Sequence, residues 1–542
     1  MKHAKSWLAL GLAAVMTIGM VGCGNKEQQE TKEASKSGAE SSQVVESSSK
    51  EETPEVKDPV TLEWWYRGNG VQKDTELVNE EFNKLLQTYP GMEHVTVHFN
   101  CYTAADYANA VTLAQSAGQQ IDILNTVNLN FPEQVKIGTY ITLDDLLKEH
   151  PDLYNALPEW LWDLGSVDGE VYIVPHYQRA ASKNFLVIPK VYWDKYADQD
   201  AISEMCKNPD RTVAECTDIL NAYVAAVQEG EGDTKYAGAP GGMWTSSMQL
   251  TDRYDNICDN VVLFNGDTEV KYLYTTEKAK ESYEVAAKWY DEGFIRPDVL
   301  TASPATPAYA HLLDPVFECF AFQNGAGTDE EVSAQLSVQC GYDVVAISVW
   351  DNYFIQNIWG AGGDGITSAC KNPEEAMRLL ELMVTEEGKE LYNMVVYGIE
   401  GKHYEKIDEN HIKTLEYDGT QGGIDTSYAA MKWVMGNTFN AYLNQGCNER
   451  ENEIALEINE SPENVVSAIT GFRVDTTLIQ SQLSQIKAVT EEYANTLING
   501  VAGTAGWESI YDEYVDKLDK AGLQQVLDEV QKQVDAFLAA NK

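Results

Sequence analysis

The chain has 542 residues, of which 85 are acidic and 39 are basic, so its formal net charge is −46. This negative charge would repel a polyphosphate backbone and excludes nucleic acid as a partner. The length is sufficient for two or three domains with sizeable cores. Beyond the N-terminal segment, no stretch approaches the roughly 18 consecutive apolar residues that a membrane-spanning helix needs.

The first 23 residues have the pattern of an export signal. Two lysines precede an apolar run over residues 7–21, which is too short to span a bilayer comfortably. Residues 20–23, Met-Val-Gly-Cys, resemble a bacterial lipobox, in which the cysteine thiol is diacylated and becomes the new N-terminus. We predict a lipoprotein signal peptide over residues 1–22 and a lipid anchor at Cys23, on the extracellular face of the cell membrane. An ordinary secretory signal with an incidental cysteine is the alternative, and it also exports the chain.

Residues 23–58 contain mainly Ser, Glu, Lys and Gln. This composition cannot bury enough apolar surface to fold, and it predicts a disordered tether. A flexible chain of this length has a reach on the order of 30 Å. The folded body would stand off from the membrane and still sample its surface.

The sequence gives little indication of a metal or a cofactor. None of the eight cysteines after Cys23 forms a CxxC pair or lies near histidines at zinc spacing, so we expect free, buried thiols. His94 and His98 lie four residues apart in a predicted strand and are interpreted as sheet or surface residues. Residues 360–365 satisfy GxGxxG, but no helix begins directly after them. We interpret this segment as a hinge or crossover strand rather than a dinucleotide site, and we expect no cofactor.

The first elements of the body alternate between strands and helices. Strands are predicted over residues 60–66, 95–99 and 121–124, and helices over residues 74–86 and 105–117. This order indicates a parallel sheet with helices on both faces. Ligands bind such sheets at the carboxyl ends of the strands, in loops that here span residues 67–70 and 125–128. The candidate ligand-binding residues in these loops are Arg67, Asn69, Asn125 and Asn128.

The alternation restarts further along the chain. The later predicted elements are a helical stretch from residue 143 that Pro151 interrupts, a hairpin over 165–175, a strand over 185–188, helices over 213–227 and 277–292, strand-like runs over 315–322 and 343–349, and a helix that begins at Asn372-Pro373. After about residue 461 the pattern is helical with polar faces. An apolar stripe between Val526 and Leu538 predicts that the terminal helix docks on the rest of the protein.

Aromatic residues lie at or near several of these loops. The aromatic candidates for ligand contact are Trp65, Tyr66, Tyr177, Trp244 and Trp359, and His176 and Gln178 flank Tyr177. Sugar rings present apolar C–H faces that stack on indole and phenol rings, and their hydroxyls bind Arg, Asn, Gln and acidic side chains. Core packing is the alternative for each ring. One of Trp64 and Trp65 must face inward, because neighbouring residues alternate across a strand.

The order of these features resembles a lipid-anchored, family 1 (carbohydrate-type) extracellular solute-binding protein of a bacterial ABC importer. The resemblance is carried by the lipobox to Cys23, Trp64-Trp65-Tyr66-Arg67-Gly68-Asn69-Gly70, Asp122-Ile123-Leu124, and residues 169–175, 371–376 and 397–404. Residues from Glu460 onward, through Gly471-Phe472-Arg473-Val474-Asp475, are similar to a C-terminal domain of unknown function in the larger Firmicute members.

The resemblance implies an α/β fold, a two-lobed periplasmic-binding-protein-like (type II) clamshell with hinge crossings and a mainly helical C-terminal extension. The implied first lobe spans residues 59–175 with a later return near 310–358. The second lobe would comprise residues 176–309 and 359–460, and the helical C-terminal region residues 461–542.

The resemblance also implies a function without covalent chemistry. A monomer would capture an extracellular carbohydrate, in particular an oligosaccharide, and deliver it to the permease subunits of the importer. The alternatives are a surface-anchored glycoside hydrolase, a binding protein for another solute such as a peptide, and a sensory or structural lipoprotein. A hydrolase needs two carboxyl groups about 5–10 Å apart, and a chain with 85 acids can neither supply nor exclude such a pair on sequence alone.

Overall fold

The computed structural model describes residues 57–232, 234–237, 253–301, 318–356, 362–415, 427–445 and 447–540, apart from the side chains of residues 338 and 339. Cys23, the predicted signal peptide and nearly all of the predicted tether lie outside these ranges, as do Trp244 and Trp359. Within them, no helix combines the length and the apolar composition that a bilayer crossing requires. No group of three or more His, Cys, Asp or Glu side chains in this part of the chain is arranged to hold a metal ion.

Strands and helices alternate along much of the chain. The strands are β1 (Val60–Arg67), β2 (Val95–Tyr102), β3 (Ile123–Asn125), β4 (Ser166–Val167), β5 (Glu170–Val171), β6 (Val174–Pro175), β7 (Ala181–Pro189), β8 (Tyr254–Cys258), β9 (Val261–Phe264), β10 (Lys271–Tyr272), β11 (Ala321–Gly325), β12 (Val344–Ser348), β13 (Phe354–Ile355), β14 (Gly363–Ile366), β15 (Tyr404–Lys406), β16 (His411–Thr414), β17 (Leu443–Asn444) and β18 (Val465–Val466). The α-helices are α1 (Thr75–Leu86), α2 (Tyr107–Ser116), α3 (Phe131–Lys136), α4 (Asp144–Glu149), α5 (Pro151–Ala156), α6 (Glu159–Leu164), α7 (Lys190–Tyr196), α8 (Gln199–Lys207), α9 (Val213–Glu231), α10 (Glu277–Asp291), α11 (Asp329–Cys340), α12 (Pro373–Val384), α13 (Lys389–Tyr397), α14 (Glu451–Asn459), α15 (Gln480–Ile498), α16 (Gly503–Lys520) and α17 (Leu523–Ala540).

The first sheet has the strand order β2-β1-β3-β14-β6. β1 runs parallel to β2 and β3, whereas β14 runs antiparallel to β3 and β6. Trp64 and Tyr66 enter one core with Phe82 of α1, and Trp65 enters a second core with Tyr107 of α2. A sheet covered on both faces buries both alternating sets of side chains. Trp64 and Trp65 are therefore both interior, rather than only one of them.

β14 returns the chain to the first sheet, and this corrects the predicted division of the lobes. β14 lies between β3 and β6, and the following helices α12 and α13 share the core of Trp64. β11 and β12 instead pair antiparallel with β7. The described residues of the region predicted near 310–358 as the return to the first lobe thus lie in the second lobe, and β14, α12 and α13 lie in the first. Apolar strands have the same local pattern in both sheets, and only their pairing distinguishes them.

The second lobe is built around β7. Its sheet has the order β11-β7-β13-β18, and β12 also pairs with β7. Leu186 of β7 packs with Val224 of α9 and Trp289 of α10, whereas the neighbouring Phe185 packs with Val332 of α11. Helices therefore cover this sheet on both faces as well.

The C-terminal helices α15, α16 and α17 pack on the second lobe. They form one core with the small sheet β10-β9-β8 and with α10, whose opposite side enters the core of the second sheet. Val526, Val530 and Val534 of α17 are fully buried in this core. The apolar stripe that predicted docking of the terminal helix is therefore confirmed.

Residues 176–180 cross from β6 of the first lobe to β7 of the second. The side chain of Asn459, which ends α14, binds this crossing. Its Oδ1 accepts from the backbone N–H groups of Ala180 at 2.7 Å and Ala181 at 3.4 Å, and its Nδ2 donates to the carbonyl oxygen of Gln178 at 2.9 Å. A buried amide thus fixes the crossing against the segment that leads on to β18.

The described part of the GxGxxG segment belongs to a crossover strand. Residues 363–366 form β14, and a Cβ atom at Gly363 would lie 2.7 Å from the carbonyl oxygen of Val174. Glycine is therefore required there by the close approach of β6. Residues 360 and 361 lie outside the described ranges.

All eight cysteines after Cys23 fall within the described residues and are free. Five are buried, and the other three are partly exposed. The prediction of buried thiols holds for five of the eight.

Candidate functional site

A buried carboxylate joins the strands of the first sheet near their carboxyl ends. Asp364 of β14 is 2% exposed, and its Oδ1 accepts from Trp64 Nε1 and from Asn125 Nδ2, each at 3.1 Å. Its Oδ2 accepts from His176 Nε2 at 2.9 Å. Asn125 Nδ2 also donates to the carbonyl oxygen of Val434 at 3.0 Å. One carboxylate therefore connects β1, β3, β14 and the crossing that begins at residue 176.

The side chains of Asn125 and His176 form hydrogen bonds within this cluster and do not reach the surface. They are 0% and 1% exposed. A buried charge needs hydrogen-bond donors around it, and these two side chains supply them. The sequence predicts both as ligand contacts, but the structure gives them a positioning role beneath the loops that follow β3 and β6.

Trp65 and Tyr66 are core residues, which corrects their prediction as stacking rings. Tyr66 lies between Trp64 and Phe99, with ring centroids 5.5 and 6.2 Å away. Burial raises the pKa of its phenol well above the usual value. Trp65 stacks on Tyr102 at 5.0 Å. Both rings are enclosed because β1 is covered on its two faces.

Arg67, the last residue of β1, packs its guanidinium against the partly exposed indole of Trp433. Its guanidinium lies 4.7 Å from the ring centroid of Trp433, and its Nη1 donates to the Met431 sulfur at 3.0 Å. Gln178 Nε2 donates to the Trp433 carbonyl oxygen at 3.5 Å, and Trp433 is 37% exposed. Burial lowers the pKa of the Arg67 guanidinium. We call Arg67, Gln178, Met431 and Trp433 the indole platform.

The remaining described candidates lie in loops. Asn69 Nδ2 donates to the carbonyl oxygen of Ala429 at 2.9 Å, close in sequence to Met431. Tyr177 packs edge-on against Phe439 with ring centroids 4.8 Å apart and is largely buried. Asn128 is exposed in the loop after β3, with a φ of +64°. The structure thus brings Arg67, Asn69 and Gln178 to one segment, residues 427–440.

The second lobe contains a cavity of about 250 Å³ where β12 ends. Its lining includes Lys207, Arg211, Arg253, Trp350, Asp351 and Asn352. Ser348 of β12 pairs with Phe185, and Ile355 of β13 pairs with Ala181, where the crossing from the first lobe ends. The cavity therefore lies toward the end of the second sheet that is joined to the first lobe.

Residues 468–539 match the family described as "Domain of unknown function (DUF3502)". This range includes α15, α16 and α17 and the Gly471–Asp475 motif. The predicted similarity of the C-terminal region to such a domain is confirmed.

Over 445 residues the chain is 27% identical to a carbohydrate ABC transporter substrate-binding protein of Streptococcus pneumoniae serotype 4 (strain ATCC BAA-334 / TIGR4). The match covers 81% of this chain and 83% of the relative. It therefore extends well beyond the C-terminal helices.

Crystal structures show a similar fold. The N-glycan transport solute binding protein (NgtS) of S. pneumoniae superposes with a TM-score of 0.69 at 22% identity, over 90% of this chain and 100% of that one. Its complex with Man5GlcNAc gives a TM-score of 0.62 at 22% identity, over 90% and 100% of the two chains. The chain has the fold of an ABC-transporter solute-binding protein. The predicted fold class is confirmed.

In a solute-binding protein fold, the ends of the two sheets that adjoin the crossings are the parts that can enclose a solute. Sequence reasoning did not select Trp433 of the first lobe or the pair Arg253 and Trp350 of the second. Trp350 follows the apolar strand β12, which is the signal that selected the other candidates. Arg253 precedes β8 and Trp433 lies in a short helical turn, so neither carries that signal.

Proposed function

We propose that this chain is the substrate-binding protein of an ABC importer and that it captures an extracellular oligosaccharide for a membrane permease. Its relative in S. pneumoniae is named a carbohydrate ABC transporter substrate-binding protein, and a protein of this fold forms a complex with Man5GlcNAc. No covalent step is proposed, and the protein acts by reversible binding.

The indole platform carries the proposal within this chain. The Trp433 ring is 37% exposed and is packed against a half-buried guanidinium, so an amphipathic side chain is fixed at the surface with area left for a ligand. A sugar ring offers an apolar C–H face for the indole and hydroxyls for the donors of Arg67 and Gln178. Arg67 holds the Trp433 ring in place, because the guanidinium lies over the ring and its Nη1 binds Met431.

Membrane attachment is the second part of the proposal. Cys23 follows a lipobox-like segment, and the polar residues after it suit a tether. Attachment would keep a released solute near the permease, because a tethered partner has a high effective concentration. Labelling of the protein with a radioactive or clickable fatty acid, lost on Cys23→Ser, tests this part alone.

Binding is tested with the mature chain carrying Cys23→Ser, first on a glycan array and then by calorimetry with the strongest hit. We expect Trp433→Ala to weaken that hit about tenfold or more, because stacking and hydroxyl contacts are lost together. Tyr154→Ala is the matched control, since Tyr154 is also an exposed aromatic ring, 47% exposed and stacked on Trp162 in the first lobe. A chain that binds peptides but no glycan would contradict the proposal.

A further inference from the structure

The cavity of the second lobe has an unusual charge for this chain. Three of its lining residues are cationic, Lys207, Arg211 and Arg253, and Asp351 is the acidic residue among them. The whole sequence has more than twice as many acids as bases, 85 against 39. A local excess of positive charge in such a protein is therefore a specific feature of the fold.

Two of these cations lack an acidic partner. In the part of the chain that the structure describes, neither Lys207 nor Arg253 has a carboxylate oxygen within 4.0 Å, the usual limit of a salt bridge. Arg296 and Arg450 show the common alternative, since each contacts at least one carboxylate. The charges of Lys207 and Arg253 remain available to something else.

Arg253 is held in place without being neutralised. Its guanidinium stacks on the ring of Trp350 at 5.0 Å, and its Nη2 donates to the carbonyl oxygen of Asn352 at 2.9 Å. Its Nε is buried and makes no hydrogen bond to any described residue. Burial lowers its pKa, which is the cost of holding this cation away from water. The unpaired Nε–H and the buried charge of Arg253 both favour an anionic ligand. Such a ligand would accept a hydrogen bond from Nε and would compensate the charge.

Arg211 completes the wall of the cavity. Its Nη1 donates to the carbonyl oxygens of Cys206 at 3.1 Å and Asn208 at 2.7 Å, and its Nη2 contacts that of Val349. These bonds tie the end of α8 to the end of β12. Arg211 thus adds positive charge to the cavity wall, and its hydrogen bonds hold that wall rigid. Arg253 is the arginine that we expect to contact a ligand.

We propose that this cavity is a subsite for a carboxylate-bearing sugar unit, so that the solute is an acidic oligosaccharide. This inference rests on the proposed function. A planar carboxylate can accept two parallel bonds from a guanidinium, and the Trp350 indole can contact the carbon frame of the same sugar. At about 250 Å³ the cavity is smaller than the roughly 300–1,000 Å³ pockets of drug-sized ligands, so it would take one unit of the chain.

The test compares glycans that differ only in charge. An array carries sialylated glycans and their sialic acid methyl esters together with oligogalacturonides and their methyl esters, and calorimetry follows on the best pair. We expect the acidic member to bind about tenfold tighter or more, as a charge-assisted hydrogen-bond pair would give. Equal affinity for both members, or binding of neutral glycans alone, would overturn the acidic subsite and leave the proposed function intact. Failure of every glycan to bind would refute both.

Variants assign the effect to this cavity. Arg253→Met keeps an apolar stem on Trp350 but removes the charge, and we expect it to abolish the preference for the acidic member while the neutral affinity stays within about twofold. Lys207 is exposed, so Lys207→Met tests the same charge without risk to folding and should reduce the preference in part. Arg450→Met removes an exposed, ion-paired arginine and should change neither affinity. A different result would overturn the proposal: Arg253→Met weakens binding of the acidic and the neutral glycan equally, and Lys207→Met leaves the preference for the acidic glycan unchanged. Arg253 would then only support the loop.

Discussion

At the scale of single residues, Asp364 is a buried side chain of the first lobe on which three side-chain hydrogen bonds converge. It accepts hydrogen bonds from Trp64, Asn125 and His176, and these come from three separate parts of the chain. All four side chains are buried. A charge in this position is tolerated only while its donors surround it, and the donors are satisfied only while the charge is present.

We therefore expect Asp364→Ala to destabilise the protein by about 3–5 kcal/mol, because it leaves several buried donors without an acceptor. Urea unfolding followed by tryptophan fluorescence measures the loss. Asp145→Ala is the control, since the Asp145 side chain is 96% exposed and its ion pair among the described residues is with exposed Lys148, so its removal should leave the stability nearly unchanged. Equal effects of the two substitutions would contradict a central role for Asp364.

The candidate site was only partly predictable, and Asn125 shows why. The sequence places it directly after a buried strand, which is where ligand-binding residues of parallel sheets occur. Its partners Asp364 and Val434 lie 239 and 309 residues further along the chain. Local pattern cannot distinguish an open loop from one covered by a segment that returns so late. Asn69 and Gln178 lie outside the strands, as predicted, whereas Arg67 is the last residue of β1. The role of all three in binding remains a prediction.

At the scale of secondary-structure elements, the start of α1 is tied to a distant turn by one carboxylate. Asp74, which precedes α1, contacts Lys402 Nζ at 2.8 Å and His403 Nε2 at 3.2 Å. The hydrogen bond from Lys402, followed by those from His403 and Ser427, lowers the pKa of Asp74 to about 2. The contact links α1 to the segment after α13, within the same lobe.

This shift gives a pH dependence with a defined sign. Because the folded pKa lies below the unfolded value near 3.8, the contact stabilises the protein above about pH 4 and is lost as the pH falls toward 2. Between pH 5 and pH 3 we expect the wild type to lose on the order of 0.5–1 kcal/mol more stability than Asp74→Asn, after allowance for solvent screening. Urea unfolding at the two pH values measures the difference. A variant with the same loss as the wild type would show that the ion pair contributes nothing.

The type and bounds of the helices and strands were predicted more reliably than the assignment of the strands to the two sheets. The helices α1, α2 and α10 and the strand β1 have the predicted type and nearly the predicted bounds, because their apolar periodicity is unbroken and a Gly or Pro residue follows each within a few positions. β2 has the predicted type but extends three residues beyond its predicted end at residue 99. The assignment of β12 and β14 to lobes failed, because each is a short apolar strand that could join either sheet. Long-range pairing decides between the sheets, and a single sequence carries no signal for it.

At the scale of the whole molecule, the two lobes are connected by more than the covalent crossings. Residues 473–476, which join β18 to the C-terminal helices, contact the first lobe. The Arg473 guanidinium lies 4.8 Å from the ring centroid of Phe131 and donates to the carbonyl oxygen of Leu164 at 3.3 Å. Asn130 Nδ2 donates to Thr476 Oγ1 at 3.2 Å, and Lys136 pairs with Asp475 at the same distance. We call residues 473–476 the connecting segment.

The connecting segment is also fixed to the second lobe. Phe472 and Val474, which alternate with Arg473, are buried in the core of the C-terminal helices. Gln533 of α17 exchanges hydrogen bonds with the backbone of Asp475, at 2.8 Å to its N–H and 2.9 Å to its carbonyl oxygen. Alternate side chains of the Gly471–Asp475 motif thus pack in different places. Arg473 contacts the first lobe, whereas Phe472 and Val474 lie in the core of the C-terminal helices. Any change in the angle between the lobes must strain or break its contacts.

We therefore expect Arg473→Ala to loosen the lobes of the ligand-free protein. Burial lowers the pKa of Arg473 to about 10, so the guanidinium is charged at neutral pH and its contact with Phe131 is a cation–π pair. Such a pair is worth about 0.5–2 kcal/mol, and its loss would shift the equilibrium toward the open form by roughly 2- to 30-fold. Small-angle scattering should show a larger radius of gyration. Lys517→Ala is the control, since the ion pairs and ring contact of Lys517 among the described residues are with α15 and α16. An unchanged radius with a lowered melting temperature would mean that Arg473 fills space between the lobes without restraining their motion.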